Sequence, residues 1–502
     1  MDLRSQVGQV WLDEVEKYNV NRLTGDFIKV HLRVPAQGRL QELRLTNPTA
    51  YADLVNIPTS IRECDGRLND ALPDLGNPTI RRYIGLFTQQ VITGAKTRLP
   101  SGRTKIQEVT LVMDSAGESS IWGDEAGNSS CTNQVPFSSF SNARYPHGQA
   151  FRERANYFYQ REIPLKQTYR EFASAVTKAD AAIKPAVFLQ TWAMDGRMRG
   201  SFDLYELVKG TGVKVIHHTT FPNLGPGGGY LTQEQHRITT AYTATIAAKS
   251  GLEFDTEFSW AHYAPAGSAA SFPWTGSIPP DLNTMVPGNA QSFFRQAVAG
   301  FKFGATGMAY CNWAMQSINF PPYTSGTTFT HPDWVKMIGH NINSQTASST
   351  HLTVGGGLLT STNTTALPAA SKAVYISTLG RLDCEESGSC LGVGVLWGWF
   401  NYFGLTAEVN SRKVDIITDG MVRDGKVNWD SYAYVYVPFQ TSNYTESAVL
   451  DILKRLPQAN KDKFYFQQTS TDPGTGNFNQ FLTRTKPFLV HSIVPLITPV
   501  GN

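Results

Sequence analysis

Short runs in which apolar and polar residues alternate recur through the first two thirds of the chain, separated by longer stretches of helical periodicity. The strand candidates are residues 27–34 (FIKVHLRV), 51–58 (YADLVNIP), 109–114 (VTLVMD), 186–192 (AVFLQTW), 213–219 (VKVIHHT), 252–260 (LEFDTEFSW) and 306–313 (TGMAYCNW). Helical patterns cover 9–18, 167–182, 233–250 and 290–303. Strands that alternate with helices of this length predict parallel pairing through right-handed crossovers. The fold class expected is therefore α/β, with a catalytic (β/α)8 TIM barrel over residues 1–345. A closed barrel needs eight strands, and the pattern shows seven. The first is expected in residues 3–8 or outside the chain.

Residues 346–371 are rich in Ser, Thr and Gly, which predicts a linker. A second alternating pattern follows: strand 373–377, helix 392–405, strands 413–418 and 432–437, helix 446–456 and strand 463–467. This predicts a flavodoxin-like α/β domain over 372–468, structural or oligomerising in role. Its first strand is followed by no Gly-rich phosphate loop, which argues against a nucleotide. Residues 469–502 are read as a C-terminal tail or short β segment.

Charge narrows the class of partner. Lys and Arg number 44 against 41 Asp and Glu, a net charge of +3 without a basic run, so no nucleic-acid partner is expected. No apolar stretch approaches the roughly 20 residues that cross a bilayer, so no membrane partner is expected either. Met1 is followed by Asp-Leu-Arg-Ser-Gln, without the pattern of a signal peptide. Localisation stays open between the cytoplasm and secretion with the signal removed. Five cysteines, an odd count, argue against a disulfide framework, although Cys384 and Cys390 are close enough in sequence to pair.

Barrel enzymes gather their chemistry at the C-terminal ends of the strands. VTLVMD runs into Ser115-Ala116-Gly117-Glu118, and LEFD runs into Thr256-Glu257-Phe258-Ser259-Trp260. Counted back from the last strand, these carboxylates follow the fourth and seventh of eight, on opposite sides of a barrel mouth. Hydrolysis of a glycoside with retention uses such a pair, one carboxyl protonating the leaving oxygen and one attacking the anomeric carbon. Their environments must differ, so that one stays protonated while the other is ionised. Arg33, at the end of FIKVHLRV, is placed to hold Glu257 ionised. Glu253 and Asp255 share the face of Glu257 under period-two alternation and compete with it. Asp114 competes with Glu118 or orients a substrate hydroxyl.

His217 and His218 close the sixth strand and His262 follows the seventh, as candidates for hydrogen bonds to substrate or nucleophile. Neighbours on a strand point to opposite faces, so only one of the dipeptide faces the mouth. Trp192, Trp260 and Trp313 are candidates for stacking on a sugar ring, and Trp313 for the floor of the site. There is no His-Glu-x-x-His and no Cys-x-x-Cys, so no metal and no cofactor is expected.

Thr256-Glu257-Phe258-Ser259-Trp260 resembles the nucleophile segment of the clan A retaining glycoside hydrolases. Residues 301–305 (FKFGA) with 307–313 (GMAYCNW) resemble the last helix and strand of family 42 β-galactosidases. Those enzymes append a flavodoxin-like domain that helps make a trimer, and family 164 β-mannosidases share the plan. The resemblance implies a retaining exo-β-glycosidase of double-displacement mechanism, acting on terminal β-galactosides or β-mannosides. Glu118 would be its acid/base and Glu257 its nucleophile, with a carbohydrate substrate and a homo-oligomer, a trimer, as partners. The clan normally carries Asn before its acid/base, where this chain has Gly117. That departure motivates one alternative, a catalytically inactive sugar-binding barrel. A second is a metal-dependent barrel hydrolase using His217 or His218 with His262 and Asp255.

Overall fold

The computed structural model describes residues 6–23, 27–36, 51–55, 60–62, 68–112, 151–190, 203–219, 233–258, 303–310, 353–355, 358–360, 370–376, 414–440 and 464–469, with positions 40, 45, 48 and 49. The fold is a parallel-strand α/β fold of TIM-barrel-like character. It divides into two compact units. One is Met1–Leu189 with Gly196–His217 and Ile497–Asn502, and the other is Gln190–Asp195 with His218–Leu496.

In the first unit, helix α1 (Gln6–Val20) precedes strand β1 (Val30–Pro35). Residues 6–8 thus belong to a helix, and the strand expected there does not form. Asn19 ties the end of α1 to the start of β1, its amide donating to the Ile28 carbonyl at 2.8 Å and accepting from Ile28 N at 2.9 Å. Residues 51–58, read as a strand, instead contain one helical turn, α2 (Ala52–Val55). The Tyr51 carbonyl accepts from Leu54 N at 2.9 Å and Val55 N at 3.0 Å, which closes that turn. Asp53 on the turn binds Arg82 and Tyr83, so its alternation comes from a helical turn held by a polar anchor. An antiparallel pair, β2 (Ser60–Arg62) and β3 (Leu68–Pro73), follows.

Helix α3 (Pro78–Thr97) starts from Asn77, whose side chain accepts from Thr79 N at 2.9 Å, with Pro78 in the first turn. Both are helix-start signals: the cap satisfies an orphan N–H, and proline costs nothing where none is needed. The buried residues Ile80, Ile84 and Phe87 form one face, the stripe of an amphipathic helix. Helix α4 (Phe151–Ala179) runs beside α3, with Arg81 Nε 3.2 Å from Glu171 Oε1. Strands β4 (Ile106–Val112), β5 (Lys184–Gln190) and β6 (Val215–Thr219) follow, β6 preceded by the short helix α5 (Leu204–Val208). β1 pairs in parallel with β4, setting His31 opposite Glu108 and Arg33 opposite Thr110. β4 pairs in parallel with β5, setting Thr110 opposite Ala186. On β1, Val30, Leu32 and Val34 are buried on one face, while His31 and Arg33 take the other and are half-buried. That alternation leaves one polar row in an apolar strand.

In the second unit, helix α6 (Gln233–Ser250) leads into β7 (Glu253–Phe258), which pairs in parallel with β8 (Gly307–Tyr310). Strands β9 (Thr353–Gly355) and β10 (Leu358–Thr360) continue from β8 as antiparallel neighbours. A separate four-stranded sheet is parallel throughout. It comprises β11 (Lys372–Ile376), β12 (Val414–Thr418), β13 (Tyr434–Gln440) and β14 (Phe464–Thr469), in the order β12-β11-β13-β14. A five-residue helix, α7 (Asp419–Arg423), follows β12 and presents Asp419 to the Tyr375 hydroxyl. The helices expected at 290–303, 392–405 and 446–456 lie largely or wholly outside the described residues. Among the described residues, no helix is long and apolar enough to cross a membrane.

β7 and β8 meet most tightly at Asp255 and Gly307, which are register partners. A Cβ built on Gly307 would stand 2.8 Å from Asp255 Oδ1 and 3.0 Å from its Cγ. Asp255 is 5 % exposed, and its Oδ1 accepts from the Thr306 hydroxyl at 3.0 Å. Gly307→Ala is therefore expected to destabilise by about 1–3 kcal/mol, the range for overpacking a close contact. The measurement is the urea midpoint, and an unchanged midpoint would mean that Asp255 turns aside freely.

Candidate functional site

One polar cluster among the described residues of the first unit is built from three strands. His31, the second residue of β1, places Nε2 2.6 Å from Glu108 Oε1 on β4 and 2.6 Å from the Thr110 hydroxyl. Thr110 donates to Glu108 Oε1 at 3.2 Å. His217, the third residue of β6, sets its ring 5.8 Å from that of His31, edge to face. On its other side His217 stacks on Phe188 of β5, with centroids 5.1 Å apart and planes 18° apart. The Arg33 guanidinium lies over the Phe188 ring at 5.0 Å. Period-two alternation explains the gathering: His31 and Arg33 share one face of β1, and Glu108 and Thr110 share one face of β4.

Burial sets the electrostatics. Glu108 is 4 % exposed and His217 is 1 % exposed. Desolvation pushes the Glu108 carboxyl upward. The charge and hydrogen bond of His31, the charge of His217 and the Thr110 hydrogen bond outweigh it and hold the group below the ordinary carboxylate range. A buried carboxylate needs such partners, because an unpaired one costs several kcal/mol. The ligand atoms of His31, Glu108 and His217 all lie within 4.8 Å of one another. Two imidazoles and one carboxylate at that spacing can share a proton or hold a cation.

The residues expected to do chemistry divide in three. Arg33 and His217 are described with their side chains and meet through Phe188. Glu257 and His218 are placed by backbone alone. Glu257 is the fifth of six residues of β7, opposite Ala309, and His218 is the fourth residue of β6. Asp114, Glu118, Trp192, Trp260, His262 and Trp313 lie outside the described residues. Asp255, a competitor of Glu257 on β7, has its carboxylate against Thr306 and Gly307.

His31, Glu108 and Thr110 were not foreseen as site residues. The signal was present: His31 interrupts FIKVHLRV and Glu108 interrupts IQEVTLV, each a charged or titratable group in a strand otherwise fit for burial. Such groups are retained when paired.

No protein-family model matches the chain, and no curated protein matches it. Among solved structures, it is similar to the β-galactosidase from Rahnella sp. R3, at 10 % identity and a TM-score of 0.42 over 90 % of this chain and 68 % of that one. It is similar to the β-galactosidase of the psychrophilic Marinomonas ef1, at 10 % identity and a TM-score of 0.45 over 88 % and 71 % of the two chains. It is also similar to a catalytic mutant of a GH42 β-galactosidase from G. stearothermophilus, at 8 % identity and a TM-score of 0.45 over 89 % and 68 %. All three are β-galactosidases by name, and the third is a GH42 enzyme.

Proposed function

We propose that the chain is a glycoside hydrolase, a retaining exo-β-glycosidase acting on terminal β-galactosides or β-mannosides. The observation that carries this reading is the position of Glu257 near the carboxyl end of β7, a strand parallel to its neighbour β8. Parallel α/β barrels place reacting groups at that end. Glu118 lies in the stretch that follows β4 in the sequence. Glu257 attacks the anomeric carbon and forms the glycosyl-enzyme as Glu118 protonates the leaving oxygen. Glu118 then takes a proton from the water that releases the sugar. Arg33 is the proposed positive partner of the nucleophile. Asp114, His218, Trp192, Trp260, His262 and Trp313 are the proposed substrate contacts, and His217 supports the site from the strand wall. The order β12-β11-β13-β14 supports a flavodoxin-like second domain, for which we infer an oligomerising role in a trimer.

The test is intact mass after incubation with activated 2-deoxy-2-fluoro galactosides and mannosides, followed by peptide mapping. One sugar adduct on the peptide holding Glu257 is expected, and the sugar that reacts identifies the preferred epimer. A folded sample that takes neither sugar, or one labelled on another peptide, overturns the assignment.

A further inference from the structure

We propose that His31, Glu108 and His217 form a binding site for one divalent ion of the zinc type, held between β1, β4 and β6; it shares His217 with the proposed glycosidase site but does not rest on that reading. Each residue offers one ligand atom, and the three atoms lie within 4.8 Å of one another. Around a tetrahedral zinc ion, with bonds of about 2.0–2.2 Å, ligand atoms stand roughly 3.4 Å apart. His31 Nε2 and Glu108 Oε1 are now 2.6 Å apart, so they must open by roughly 1 Å to admit an ion of that bond length.

The donor set selects the metal. Two imidazoles and one carboxylate suit zinc, with water completing the tetrahedron. Magnesium and calcium prefer all-oxygen shells. All three ligands stand on strands, which hold geometry better than loops. The Thr110 hydroxyl, donating to Glu108 Oε1 at 3.2 Å, orients the carboxylate, and the Phe188 ring stacked on His217 restrains that imidazole. Such outer partners commonly tune metal sites. In the metal-free protein, His31 Nε2 and Glu108 Oε1 face each other at 2.6 Å. On binding, the ion enters between them, the His31 nitrogen and the Glu108 oxygen each form a bond to it, and a proton carried by Nε2 moves to Nδ1 or to buffer. The ion would staple three strands that are far apart in sequence.

The experiment uses the full chain, stripped with EDTA, dialysed and titrated with Zn2+ alone by calorimetry. The expected result is one ion per chain, and a Tm several degrees higher when the ion is bound. His31→Gln and Glu108→Gln should each weaken binding by at least about 100-fold, and Thr110→Val by about 10-fold. No saturable Zn2+ binding, or binding unchanged in His31→Gln and Glu108→Gln, overturns the proposal and leaves a hydrogen-bonded pair only. If those variants do not fold, zinc K-edge absorption of the wild-type protein decides. Two imidazoles with oxygen ligands support the site, while sulfur or a single imidazole overturns it. Fluoro-sugar labelling is scored separately, so zinc bound without an adduct removes the glycosidase reading alone.

Discussion

Glu257→Ala is expected to lower kcat on an aryl β-galactoside or β-mannoside by about 10,000-fold or more, equivalent to about 5.5 kcal/mol of transition-state stabilisation. Far-UV circular dichroism and Tm should stay near the wild-type values. The size of the loss follows from the mechanism. With the carboxylate gone, no protein group traps the oxocarbenium-like centre, and water on the open face is poorly placed to do so. Added azide should restore turnover and give a glycosyl azide of inverted configuration, because the small anion attacks from the vacated side. Asp255→Asn separates the competitor on the same strand. Its carboxylate accepts from Thr306 and packs on Gly307, so the expected effect is a lower Tm without azide rescue. Near-normal turnover in Glu257→Ala would falsify the nucleophile assignment, and azide rescue in Asp255→Asn would move it two residues back.

Local order was legible where a segment's own pattern decides its structure. Helix α6 spans Gln233–Ser250, the range the sequence predicts, and six of the seven barrel-strand expectations overlap observed strands. Residues 51–58 failed because weak alternation over a few positions also fits one helical turn, and the Asp53 contacts with Arg82 and Tyr83 favour the turn. Helix α3 went unforeseen although Asn77, Pro78 and the Ile80–Ile84–Phe87 spacing announce it. The buried cluster is a different kind of omission. Alternation says that His31 and Arg33 share a face, but not that β4 lies beside β1 or that His217 approaches them. Strand order decides that, and strand order is a property of the whole sheet. The strand that carries Glu257 was legible for the opposite reason: alternation within one segment is a local signal, and that strand was found where expected.

Glu108→Gln, measured with EDTA present so that no ion contributes, should destabilise the protein by about 3 kcal/mol at pH 7, the scale for breaking a buried pair. Glutamine matches glutamate in shape, so no cavity enters the loss. What goes is the charge that His31, His217 and Thr110 are arranged around. The pH dependence has a definite sign. The folded Glu108 pKa is depressed, so its contribution is complete above the unfolded value of about 4.3 and disappears as pH falls through the lower folded value. The gap between wild type and Glu108→Gln, read from urea midpoints, should be constant just above that window and narrow within it. A double replacement, His31→Leu with Glu108→Met, tests the cause. Removing both partners leaves no buried carboxylate, although the Thr110 hydroxyl loses its contacts with both, and apolar substitutes for a buried pair are often neutral or better. The double variant should therefore be more stable than Glu108→Gln, despite carrying the larger chemical change. If it is less stable, shape at this point of the sheet matters more than charge, and the cluster is a packing element that happens to be polar.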